Sequence, residues 1–144
     1  MGKVSIVYWS GTGNTEAMAA AMAEGAKDAG AEVELLTVDK AEAAAISEAK
    51  AFALGCPAMG AEELEEGEME PFMAELDSRI AGKTIALFGS YGWGGGEWMR
   101  DWESRVVSDG AAVLSGEGII ADNAPDDDVL AECRAAGAKL VALV

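Results

Sequence analysis

Apolar and polar positions alternate along the chain between two periods. Residues 4–9 are almost wholly apolar, the pattern of a strand buried on both faces. After Thr15 the period lengthens: Met18, Ala21, Met22, Gly25, Ala26 and Ala29 recur at helical spacing and predict one apolar stripe. Residues 32–38 alternate as an edge strand does, with Val33, Leu35 and Leu36 expected inward. The Ala-rich segment 39–48 reads as a short helix or irregular crossover, and residues 51–54 as a third strand ending at Gly55. Met69, Phe72, Met73, Leu76 and Ile80 line a second helix that Gly82 should close. Residues 84–88 form the fourth strand, and Trp98, Trp102 and Val106 mark a helix that Gly110 ends. The fifth strand combines residues 111–114 with 119–121, interrupted near Gly116 and Gly118. A last helix sets Val129, Leu130, Cys133, Gly137, Leu140, Val141 and Val144 on one side.

Strands alternating with helices predict an α/β fold, an open doubly wound five-stranded parallel sheet with helices on both faces. At 144 residues, without repeat or linker, the chain is expected to be one domain. Ligands of such sheets lie beyond the carboxyl ends of the strands, where the strand order reverses. That rule selects four loops, at 10–15, 55–66, 89–96 and 122–126.

The first loop reads Ser10, Gly11, Thr12, Gly13, Asn14, Thr15 and holds no Lys or Arg. It stands between a strand end and a helix start, where unpartnered N–H groups and the helix dipole favour an anion. A Walker A loop requires a Lys, and none lies between Lys3 and Lys27. The dinucleotide fingerprint requires a third small residue where this chain has Glu16. A monophosphate fits best; a capped helix start after a glycine turn leaves the same trace. In the second and third loops, Met59 and Trp93 stand among glycines with little apolar surface to cover them, which suits stacking on a planar ligand. Packing against the sheet end is the alternative for both.

Charge narrows the partners. The 26 acidic residues exceed the 10 basic ones and leave a formal charge of −16, which argues against nucleic acid and anionic membrane as partners. A basic protein surface is the complementary partner, and simple solubility explains the excess equally well. No apolar run approaches the roughly 20 residues of a membrane helix and no secretory pattern opens the chain, so a cytoplasmic protein is expected. Cys56 and Cys133 form no CxxC pair and read as reduced core residues. Histidine is absent, which excludes Ser/His/Asp and Cys/His catalysis and argues against a zinc site.

Three segments together resemble the short-chain flavodoxins, bacterial FMN-binding electron carriers. They are Val-Tyr-Trp-Ser-Gly-Thr-Gly-Asn-Thr at 7–15, Gly-Cys-Pro-Ala-Met-Gly at 55–60 and Leu-Phe-Gly-Ser-Tyr-Gly-Trp-Gly at 87–94. The resemblance runs over essentially the whole chain and implies strand order 2-1-3-4-5. It implies that Ser10, Thr12, Asn14 and Thr15, with the N–H groups of Gly11 and Gly13, bind the FMN phosphate. Trp93 would stack on the outer ring face and Met59 on the inner one, with Pro57, Ala58 and Ala61 in the same loop. Glu62 would accept from flavin N3–H, and Ser90, Tyr91 and Gly92 would meet the pyrimidine or ribityl edge. Some relatives have a phosphate-binding Ser at the position of Pro57, and many have Gly or a polar residue at that of Ala61.

The implied role is a low-potential carrier rather than an enzyme, shuttling between semiquinone and hydroquinone. The Gly60 carbonyl would turn to accept from flavin N5–H, a hydrogen bond of about 1 kcal/mol that shifts a potential by roughly 40 mV. A carboxylate about 10 Å away opposes the anionic hydroquinone by roughly 0.4 to 1.7 kcal/mol. Glu62, Glu63, Glu65, Glu66, Glu68 and Glu70 crowd six acids beside that loop, as a docking patch for basic surfaces of redox donors and acceptors or as a solvated helix start. A monomer is expected. An FMN-dependent quinone reductase and a signalling module of the same topology are the alternatives; the first lacks an evident substrate pocket and the second an acidic phospho-acceptor cluster.

Overall fold

The computed structural model describes residues 2–144. Its strands are β1 (Lys3–Tyr8), β2 (Glu32–Thr37), β3 (Ala51–Gly55), β4 (Thr84–Tyr91), β5 (Ala112–Val113) and β6 (Ile119–Asp122). All pair in parallel in the order β2-β1-β3-β4-β5, with β6 beside β4. β5 and β6 are two halves of one interrupted fifth strand, and residues Leu114–Gly116 make a 3-10 turn in the gap. Strand order therefore reverses at β1, with β2 on one side of it and β3 on the other.

Helices cover both faces. α1 (Asn14–Asp28) and α5 (Asp127–Val141) bury Met18, Met22, Cys133 and Leu140 against Val4, Ile6 and Phe88. The short α2 (Ala43–Ile46), α3 (Met69–Leu76) and α4 (Glu97–Ser108) cover the other face, burying Phe72, Met73, Trp98 and Trp102 against Phe52, Leu54 and Leu87. At Gly25 and Gly137 helices α1 and α5 meet backbone to backbone: a Cβ on Gly137 would fall 2.0 Å from the Met22 carbonyl oxygen.

Five expectations need correction, the first being Val144, which lies beyond the end of α5 at Val141 and is exposed instead of joining the helix stripe. Leu35 is 41% exposed, because β2 is the sheet edge and has a paired strand on one side only. Ala29 ends α1 exposed, and the αL residue Gly30 closes that helix, with Ala31 N–H reaching back to the Ala26 carbonyl. α3 stops at Leu76 instead of running to Gly82; Asp77, the C-cap, turns its carboxylate to Arg105, and Ile80 is buried from the turn that follows. β4 continues through Gly89, Ser90 and Tyr91, which the sequence pattern assigns to a loop, because β6 supplies backbone partners for Phe88 to Tyr91.

Candidate functional site

The divergence of β2 and β3 from β1 opens a cleft of about 430 Å³ at the carboxyl end of the sheet. Its walls are Trp9, Gly11, Thr12 and Asn14 from the first loop, Pro57, Ala58 and Met59 from the second, Ser90 to Trp93 from the third, and Asn123. Backbone bonds carry the ladder past the strand ends: Trp9 N–H donates to Gly55 O at 3.0 Å, Cys56 N–H to Phe88 O at 3.0 Å and Ala58 N–H to Ser90 O at 3.0 Å. The loops thus start from fixed positions.

In the first loop Ser10 acts as an internal clamp. Its Oγ accepts from Gly13 N–H at 3.2 Å and Glu16 N–H at 3.3 Å, while Thr12 Oγ1 accepts from Asn14 N–H at 3.4 Å. Among the described residues, the N–H groups of Gly11, Thr12 and Thr15 find no acceptor. Thr15 is 1% exposed, and its Oγ1 accepts from Ser90 N–H at 3.3 Å, tying the start of α1 to β4. Gly11, Thr12 and Asn14 line the cleft, Ser10 and Gly13 complete the same turn half-buried, and Thr15 is buried beneath it.

The second loop turns back on itself. Met59 and Glu63 exchange both backbone hydrogen bonds, at 2.9 and 2.8 Å, and leave Gly60, Ala61 and Glu62 as the tip. Gly60 and Glu62 have φ of +52° and +55°. Gly60, Ala61 and Glu62 do not line the cleft; the Glu62 Oε1 accepts from Glu97 N–H at 3.1 Å, at the start of α4. Below the tip the Glu65 carboxylate accepts from Gly67, Glu68 and Met69 N–H at 2.7, 2.8 and 3.0 Å and organises the entry to α3. Partial burial raises its pKa, but these three bonds outweigh that and hold the carboxyl below the usual carboxylate range. Beneath the loop the Cys56 thiol is buried and pushed up to about 12, chiefly by loss of solvation.

In the third loop Trp93 is 51% exposed, a large ring held out at the mouth of the cleft. Behind it Tyr91 packs on Trp98 with ring centroids 5.6 Å apart, and the Trp98 Nε1–H donates to the Cys56 carbonyl at 2.9 Å. Ser90 faces inward: its hydroxyl donates to Asn123 O at 2.6 Å, and Asn123 N–H returns to Tyr91 O at 2.7 Å.

Trp9 and Asn123 are not among the expected site residues, and Glu65, expected only as one of the acidic run, has a specific structural role. Trp9 ends the apolar run directly before Ser10, where an aromatic beside a loop is the available signal. Asn123 sits in the fourth selected loop at φ +60°, a conformation Asn tolerates. Glu65 stands four residues before the buried Met69, near where a helix start needs an acceptor.

Comparison with known proteins agrees with this architecture. The sequence model of the flavodoxin family matches residues 6–137. Flavodoxin of Megasphaera elsdenii is 47% identical over 135 residues, covering 92% of this chain and 98% of its own length. Flavodoxin of Clostridium beijerinckii is 47% identical over 124 residues, covering 86% and 89%. The solution structure of the two-electron reduced Megasphaera elsdenii protein superposes with a TM-score of 0.86 at 46% identity, over 94% of this chain and 98% of that one. The chain belongs to the flavodoxin family, low-potential one-electron carriers that work with non-covalently bound FMN.

Proposed function

We propose that FMN occupies the cleft between Trp9, Met59 and Trp93, with its phosphate on the loop from Ser10 to Thr15. The observation that carries this reading is the meeting, in one cleft, of a half-exposed tryptophan and a loop with unpartnered backbone donors. The donor set suits a phosphate ester: neutral N–H and hydroxyl groups at a helix start, with Ser10 Oγ already holding the turn so that its hydroxyl proton remains to be donated. FMN supplies one-electron chemistry when bound.

The chain's own residues hold and orient it. Gly11, Thr12, Gly13, Asn14 and Thr15 bind the phosphate; Trp93 and Met59 cover the ring faces and exclude water; Pro57, Ala58, Ser90, Tyr91 and Gly92 meet the ring and ribityl edges. Glu62 is assigned the ring N3–H, with Ala61 beside it in the tip. The Gly60 carbonyl is assigned to ring nitrogen N5. A Cβ on Gly60 would meet nothing within 4 Å, so it is the backbone at φ +52°, and not crowding, that favours glycine here. Its partners are basic surfaces of redox proteins, drawn to the acidic run from Glu62 to Glu70, and the chain acts as a monomeric carrier without substrate turnover of its own. No described helix is long and apolar enough to cross a membrane.

Titrating the protein with FMN and with riboflavin tests the assignment. The phosphate should strengthen binding by about 10-fold or more, the worth of one or two charge-assisted hydrogen bonds. Equal affinity for the two flavins, or a colourless protein indifferent to FMN, refutes it. Electron transfer to a basic partner should slow as salt rises, and a rate insensitive to ionic strength removes the docking assignment.

A further inference from the structure

α4 begins without a cap of its own. The residue before it, Gly96, lies at φ +89° and has no side chain to accept from the first helical N–H groups. The acceptor comes from 35 residues away: Glu62 Oε1 takes the Glu97 N–H at 3.1 Å. Glu62 is itself held at φ +55° in the tip of the Met59–Glu63 turn. The intervening loop is shaped to admit this carboxylate. A Cβ on Gly94, which has φ +77°, would fall 2.3 Å from Glu62 Cδ and 2.4 and 2.5 Å from its two oxygens. Arg100 fastens the same loop from the helix side, donating to the Gly95 carbonyl at 2.6 Å.

We infer that the Glu62 carboxylate, seated on Gly94 and bonded to Glu97 N–H, is a clasp that joins the Met59–Glu63 turn to the loop carrying Trp93. The inference rests on the assignment of these two loops to the flavin. The clasp is a positioning device: it fixes the distance between the loops that bear the two ring-facing side chains, Met59 and Trp93. It also uses one carboxylate oxygen. Among the described residues, Oε2 accepts no hydrogen bond and remains for a donor on a bound ring. Movement of the turn at Gly60 and movement of the Trp93 loop are then mechanically linked through one side chain. The negative charge sits at the positive end of a 12-residue helix, which favours this placement further.

The test uses the full chain with and without FMN. In Glu62→Ala the Glu97 amide should exchange with solvent at least about 10-fold faster than in the parent, while Glu62→Gln, whose amide oxygen still accepts, should stay within about threefold. Affinity for FMN supplies a second arm through a double-mutant cycle. Gly94→Ala should weaken binding at least about threefold more in the parent than in the Glu62→Ala background, where the strain of a Cβ at φ +77° remains but the carboxylate it displaces is gone. An unchanged Glu97 exchange rate in Glu62→Ala, or additive effects in the cycle, overturns the clasp. If the parent binds no FMN, the flavin assignment fails, and the Glu97 exchange rates still decide for or against the clasp.

Discussion

Trp98 and Trp102 stand one helical turn apart on α4, and both are 1% exposed. They differ in one bond. Trp98 Nε1–H donates to the buried Cys56 carbonyl at 2.9 Å, whereas Trp102 Nε1–H has no acceptor among the described residues. Replacing each with Phe removes similar volume from the same core, at a cost of roughly 1–2 kcal/mol for the space left behind. Trp98→Phe also strands the Cys56 carbonyl, which adds about 1–3 kcal/mol. Trp102→Phe removes an N–H that was already unsatisfied and so recovers part of its own cavity cost. Trp98→Phe should therefore be less stable than Trp102→Phe by about 1–3 kcal/mol, read from the midpoints of urea unfolding at equal slope. The site should register the same difference: Cys56 precedes Pro57, so Trp98→Phe should weaken FMN binding more than Trp102→Phe does. Equal unfolding midpoints for the two variants would show that the Cys56 bond contributes nothing to the fold and would remove its link to the proposed flavin loop.

Other perturbations probe separate parts of the molecule. Gly137→Ala puts a Cβ 2.0 Å from the Met22 carbonyl oxygen, forces α1 off α5, and should cost about 1–3 kcal/mol in thermal or urea unfolding. The Asp109 carboxyl is pushed up to about 6, first by loss of solvation and then by the neighbouring Asp77 carboxylate. Its folded pKa exceeds the unfolded one, so its contribution is present below the unfolded value and lost as pH rises toward 6. Asp109→Asn should accordingly gain stability over the parent at pH 7 and lose that advantage at pH 4, as paired unfolding curves would record. Glu65 has the opposite sign: its folded pKa is depressed, so its contribution is present at neutral pH and lost as acid titrates it. Glu65→Ala should cost about 1–2 kcal/mol at pH 7, with the gap from the parent closing at low pH.

Local periodicity carried much of the fold because most elements obey one period from end to end. The stripe from Met18 to Ala26 and the glycine-interrupted fifth strand both read directly from the chain, since what buries them also sets their spacing. Errors arose where a distant partner decided the outcome. β4 runs on through Tyr91 because β6, some 30 residues later, supplies its ladder, and no property of Gly89 or Ser90 announces this. Leu35 has the right period and the wrong exposure, because only the strand order reveals that β2 is the sheet edge. In the site, the loops were legible from topology, while Trp9 and Asn123 entered it through chain direction at strand ends.

The acidic run divides in the same way, and its division bears on function. On the sequence, the six glutamates from Glu62 to Glu70 are interchangeable charges beside a loop. In the structure three have specific partners: Glu62 holds the start of α4, Glu65 the entry to α3, and Glu70 the Arg105 guanidinium at 2.8 Å. Arg105 in turn grips Asp77 at 2.8 Å, so Glu70 faces a cation already shared with a second carboxylate. Glu63, Glu66 and Glu68 remain exposed. A carboxylate bonded to backbone N–H or guanidinium has its geometry fixed, and its removal is felt first as lost structure. An exposed one keeps its solvation and its freedom, contributes little to stability, and acts outward through a field that salt screens. The docking surface proposed for basic partners is therefore centred on Glu63, Glu66 and Glu68, and the other three carboxylates hold the framework on which that surface and the proposed flavin loop are mounted.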